Sequence, residues 1–93
     1  MYVLSQKGDI TINVKSTVGF KVEQNEFGKG WEIKTIFPNS GYRIAVYDTE
    51  ERAKEVLHEI LEYYDWIKKN EIRSIASNCM FLTEKTYFEI PKE

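Results

Sequence analysis

The residues Ala53, Val56, Leu57, Ile60, Leu61, Tyr64 and Ile67 constrain this chain more than any other feature. They recur at spacings of three and four, which places them on one face of an α-helix. A helix with one apolar stripe must lay it on another layer of structure. Asp48-Thr49-Glu50-Glu51 marks its start. Either Asp48, with Glu51 three residues on, or Thr49 can serve as the N-cap. Glu50 and Glu51 suit the positive end of the helix dipole. Lys68 and Lys69 suit its last turn and Asn70 a stop, so a helix is expected over about 49–69. Within this stripe, Leu57→Ala is expected to cost about 2–5 kcal/mol.

The first half supplies the other layer. Ile10, Ile12 and Val14 alternate with polar neighbours, as do Val18, Phe20 and Val22. Trp31, Ile33, Thr35 and Phe37 share one face of a further segment, and Tyr42, Ile44 and Val46 one face of the next. Period two is the mark of a half-buried strand. Gln6-Lys7-Gly8-Asp9, the glycine-bearing stretch from Asn25 to Gly30, and Pro38-Asn39-Ser40-Gly41 read as turns. Short loops between strands favour antiparallel neighbours, which predicts a β-meander of about five strands.

Residues 71–93 are less regular. Ile72, Ile75, Ala76 and Cys79 fit a second short helix, and Tyr87, Phe88 and Ile90 before Pro91 fit a short final strand. The expected fold is α+β: one domain over 1–93, with a meander over 1–47, a helix over 48–70, and a tail and final strand over 71–93.

Composition narrows the function classes. The chain of 93 residues is 42% apolar and 30% charged, too apolar for disorder. It suits one modest core with little room for a deep cleft. Thirteen basic against fifteen acidic residues leave a net charge of −2, which speaks against a dedicated nucleic-acid binder. No apolar run is long enough for a membrane span. The N-terminal residues lack the basic and apolar regions of a signal peptide. Cys79 is the only cysteine, so no internal disulfide is expected. A cytoplasmic location is the default.

No catalytic constellation emerges, and no cofactor or metal site is expected. His58 is the only histidine and lies toward the polar side of the helix. Metal sites gather several ligands. Cys79 reads as a small buried hydrophobe rather than as a nucleophile paired with His58. Glu51, Glu55, Glu59 and Glu62 line a solvated face. Gly28-Lys29-Gly30 lacks the length and the following helix of a phosphate-binding loop. The residues a plain fold leaves over are Tyr63, beside the stripe, and Trp66, well off it. Either the tail, through Phe81 or Tyr87, folds over Trp66, or the pair contacts a partner.

Three blocks carry a resemblance: the opening Tyr2-Val3-Leu4-Ser5-Gln6, the Thr49-Glu50-Glu51-Arg52-Ala53-Lys54 helix start, and the closing Tyr87-Phe88-Glu89-Ile90-Pro91. Together they resemble a group of small uncharacterised proteins from Gram-positive bacteria and their phages. The resemblance implies an intracellular bacterial or phage setting. It also implies a final strand that pairs back into the sheet beside Tyr2 to Ser5. It brings no activity and no catalytic residue.

The expected function is therefore a non-catalytic interaction or accessory module, with Tyr63 and Trp66 as partner contacts. Self-association through a sheet edge or these aromatics is the alternative. A further one is nucleic-acid binding on the mixed sheet face, through Lys21, Lys34 and Arg43 with Tyr47.

Overall fold

Six strands and one helix follow in the order β1 (Tyr2–Leu4), β2 (Thr11–Asn13), β3 (Gly19–Gln24), β4 (Trp31–Phe37), β5 (Ser40–Tyr47), α1 (Glu50–Ser77) and β6 (Tyr87–Glu89). The computed structural model describes residues 1–77 and 87–93, with side chains up to residue 69 and again from residue 87. The α+β class is as expected. The strands divide into two three-stranded sheets, β2-β1-β6 and β3-β4-β5.

The division has a local cause. Val14–Ser16 form a 3-10 turn, and the Asn13 side chain accepts a hydrogen bond from the Lys15 N–H. This ends β2 at Asn13, although Val14 still donates its N–H to the Met1 carbonyl and packs against the core from the turn. Ile12 is buried, whereas Ile10 is exposed. In the first sheet Val3 lies opposite Ile12 in antiparallel β2 and opposite Phe88 in parallel β6. The final strand thus returns beside Tyr2–Leu4, as the resemblance implies.

The second sheet is the meander. Asn25 closes the β3–β4 loop, its N–H donating to the Gly30 carbonyl at 2.9 Å and its Oδ1 accepting from the Phe27 N–H at 2.8 Å. Pro38 and Asn39 alone join β4 to β5, with Phe37 opposite Ser40. A bulge interrupts the β4–β5 pairing: Ile33 faces Ala45 while Lys34 faces Arg43, leaving Ile44 as the extra residue. Beyond it the alternation flips. Ala45 and Tyr47 join the core with Ile33, and Val46 turns to the outer face opposite Glu32. The expected Tyr42-Ile44-Val46 face therefore does not persist, and Tyr47 belongs to the core side.

Gln6 joins the sheets. Its backbone N–H donates to the Ile44 carbonyl at 2.8 Å, and its side-chain amide bonds both the N–H and the carbonyl of Val46. Ser5 sets the preceding turn: its Oγ donates to Asp9 and accepts from the Ile10 N–H. The Ser-Gln pair is thus an architectural joint.

Thr49 is the cap of α1, its Oγ1 accepting from the Arg52 N–H at 3.2 Å. Ala53, Val56 and Ile60 are fully buried against Val3, Ile12, Ile90, Ile33, Ala45 and Tyr47 in one core, and Ile67 is buried further along. Burial of an aliphatic side chain of this size is worth about 1.5–3 kcal/mol. Leu57 and Tyr64 are only half-buried and Leu61 is exposed, so the stripe is narrower than its pattern. The helix also runs past Asn70 to Ser77, so 72, 75 and 76 belong to α1 rather than to a second helix. Cys79 and Phe81 lie outside the described residues.

Candidate functional site

Tyr63 and Trp66 stand three residues apart on α1 and therefore share a flank of the helix. Their rings stack at 5.9 Å between centroids and 29° between planes. Tyr63 also meets Phe88 of β6, at 5.6 Å and 54°. Both geometries fall within the range of favourable aromatic pairs. Trp66 remains 41% exposed. Among the described residues the tail reaches the aromatic pair where Phe88 meets Tyr63. The expected contributor Phe81 lies outside the described residues. Alternation in Tyr87-Phe88-Glu89-Ile90 carries the signal for Phe88, because it shares a face with the buried Ile90.

The chain from Phe88 to Glu93 runs antiparallel along α1. At one end Phe88 touches Tyr63; at the other the Arg52 guanidinium donates to the Glu93 carbonyl through Nη2 at 2.7 Å and Nε at 3.0 Å. The helix rises about 16 Å from Arg52 to Tyr63. Extended chain from Phe88 to Glu93 covers about the same distance. Between these ends the Tyr47 hydroxyl donates to the Pro91 carbonyl, and Gln6 Nε2 donates to the Lys92 carbonyl at 3.1 Å. Arg52 also lies over the Tyr47 ring at 5.7 Å and pairs with Glu55 at 2.7 Å. Burial pushes the Tyr47 hydroxyl up to about 12; Arg52 opposes the shift and Glu59 adds to it. A phenol held protonated in this way is a structural donor.

The outer face of the meander brings Lys21, Lys34 and Arg43 together, as the mixed-face reading requires, but pairs them with acids. Lys34 contacts Glu23 at 2.6 Å, Lys21 contacts Glu23 at 3.0 Å, and Arg43 contacts the buried Glu32 at 3.3 Å. The hydrogen bond from Lys34, seconded by that from Lys21, holds the Glu23 carboxyl below its ordinary range. The same contact with Glu23 raises the Lys34 ammonium. Tyr47 lies on the opposite face and is buried, so it offers no stacking surface beside these cations. A single-strand binder combines a positive groove with aromatic platforms; here Lys34 and Arg43 share their concavity with Glu23, Glu26 and Glu32, and Phe27 is the aromatic that lines it.

His58 is exposed, and Cys79, its conceivable mate, lies outside the described residues. Among the described residues no group of three His, Cys, Asp or Glu side chains is placed to hold a metal ion. No helix there is long and apolar enough to cross a membrane. No protein-family model, curated protein or solved structure matches the chain.

Proposed function

We propose that the protein is a non-catalytic interaction module that engages a protein partner through Trp66, supported by Tyr63 and Phe88. The observation that carries this reading is an indole at 41% exposure whose inner side is stacked on a braced ring. Tryptophan and tyrosine are common interface anchors. A side chain already held in place gives up little conformational freedom on binding, which favours its use as an anchor. Exposed Glu62 lies on the same half of the helix, and Asp65 there pairs with Lys69 at 3.1 Å, so the partner surface would combine an apolar slot with a rim of mixed charge. The resemblance of the Ser-Gln, helix-start and closing-strand blocks supports a cytoplasmic bacterial or phage-encoded accessory role.

The test compares wild-type protein with W66A. Both are used as bait in a bacterial extract, any captured protein is purified, and its affinity for each bait is measured by calorimetry. Trp66→Ala is expected to leave the circular-dichroism spectrum unchanged and to weaken binding by a factor of about thirty, a typical hot-spot loss. A purified partner that binds both forms equally overturns the reading.

A further inference from the structure

β3 forms one edge of the meander. The bond from the Asn25 N–H to the Gly30 carbonyl fixes its alternation. Counting back from it, Glu23 and Lys21 turn their backbone groups toward β4, and Phe20, Val22 and Gln24 turn theirs outward. Among the described residues nothing bonds to those outward groups. Such an edge is a template for another strand.

The charges on the outer face end at this edge in an unusual order. Lys21 lies opposite Lys34, and Lys34 opposite Arg43, forming a row of cations across three strands. Beside it, Glu23 lies opposite Glu32, forming a row of anions. Like charges directly opposite one another are unfavourable. Diagonal contacts relieve them here, such as Lys34 to Glu23 at 2.6 Å and Arg43 to Glu32 at 3.3 Å. One row terminates at Lys21 and the other at Glu23, side by side on β3.

We infer that two copies of the chain pair antiparallel through β3 about a two-fold axis at Val22, joining their meanders into one continuous sheet. In this register Val22 faces Val22 of the second copy and Phe20 faces Gln24, so all three outward residues find partners. Lys21 faces Glu23 of the second copy, twice by symmetry. The cation row of each chain then runs on into the anion row of the other. The neighbouring registers fail on charge or length. An axis at Lys21 sets lysine against lysine, an axis at Glu23 sets glutamate against glutamate, and an axis at Phe20 leaves Val22, Glu23 and Gln24 outside the pairing. The contact is isologous, as a closed dimer requires. It is independent of the Trp66 surface.

Sedimentation equilibrium of the full chain at low salt tests it. The mass is expected to rise with concentration from 11.0 kDa toward twice that value. K21E and E23K each replace two attractive contacts by two repulsive ones and should weaken association about tenfold. An equimolar mixture of K21E and E23K should associate as wild type does, because each lysine pair then meets a glutamate pair. V22P removes the central outward N–H and should also weaken association, whereas W66A should leave it unchanged. Circular dichroism checks that each variant is folded, and the charge variants decide the matter should V22P not fold. A mass that stays at 11.0 kDa throughout, a mixture no better than either variant alone, or association lost in W66A and kept in K21E overturns the inference.

Discussion

Gln6 holds Val46 as a neighbouring strand would: its Oε1 accepts from the Val46 N–H at 2.9 Å, and its Nε2 donates to the Val46 carbonyl at 3.1 Å. The side chain thereby occupies the outer edge of β5 just past the bulge, and the same Nε2 reaches the Lys92 carbonyl at 3.1 Å. One amide connects the first sheet, the meander and the C-terminal segment. Gln6→Ala should cost about 2 kcal/mol, since three backbone groups lose their partner at a half-buried position. Gln6→Glu keeps the shape but places a carboxylate among carbonyl acceptors, and it should cost more than alanine near neutral pH. Protonation makes the group a donor again. The folded-state pKa of that carboxyl is thus raised, and the penalty should ease as pH falls below about 5. Urea unfolding of both variants at neutral and acid pH checks the order. A glutamate variant as stable as wild type at pH 7 would show that Gln6 is not gripping Val46.

Tyr47 carries the second prediction. Its hydroxyl donates to the Pro91 carbonyl, and burial raises its pKa from the ordinary 10.0 to about 12. The protonated form is the one the fold prefers. Its contribution is therefore fully present below the unfolded value and is lost as pH rises through the folded one. Wild-type stability should fall between about pH 10 and 12 relative to Tyr47→Phe, which has no proton to lose there. At pH 7 the phenylalanine variant should be about 1 kcal/mol less stable from the missing hydrogen bond. Denaturant midpoints across the alkaline range decide it, and parallel curves for the two proteins would count against the assignment.

The helix supplies a pair of contrasting truncations. Ile60 is 1% exposed, at the centre of the core, so Ile60→Ala should cost about 2–5 kcal/mol. Leu57 sits at the margin of the stripe and is only half-buried. Leu57→Ala should cost about 1 kcal/mol, less than the periodicity alone implies. Thermal unfolding of the two variants orders them directly. Equal losses would mean that the helix is rotated from its described position.

This contrast shows what periodicity can and cannot carry. Helix and strand types were legible because the spacing of Ala53, Val56, Ile60 and Ile67, and that of Trp31, Ile33 and Thr35, is a local property. The centre of the helical stripe depends on where the sheets lie, so Leu57 and Leu61 appear equal to Ile60 in the pattern and not in the fold. The reversal at Ile44 was hidden for a similar reason. A one-residue bulge is held by Gln6, far away in the chain, and it transfers Tyr47 from the mixed face to the core. Trp66 was legible as a departure from the stripe. Its support was less so, because the meeting of Tyr63 with Phe88 requires β6 to lie beside β1 and the residues after it to run back along α1.

Gly30 gives the final prediction, and it tests the packing beside Tyr47. Its φ is +92°, and a Cβ there would lie 2.8 Å from the Tyr47 carbonyl oxygen and 3.2 Å from Val46 Cγ1. Gly28, in the same loop, has a φ of +72°, but a Cβ there meets nothing within 4 Å. Alanine at either position adopts an unfavourable left-handed backbone, at about 1 kcal/mol. Only at position 30 must β5 also give way. Gly30→Ala should therefore cost about 1–2 kcal/mol more than Gly28→Ala, through strain on backbone atoms that cannot rotate aside. The displacement would also pull the Tyr47 hydroxyl from Pro91 and loosen the segment that places Phe88 under Tyr63. Amide exchange at Phe88 should accordingly rise in Gly30→Ala and stay at its wild-type rate in Gly28→Ala. If the two alanines prove equally costly, the close approach of β4 and β5 at this corner is not a constraint on the fold.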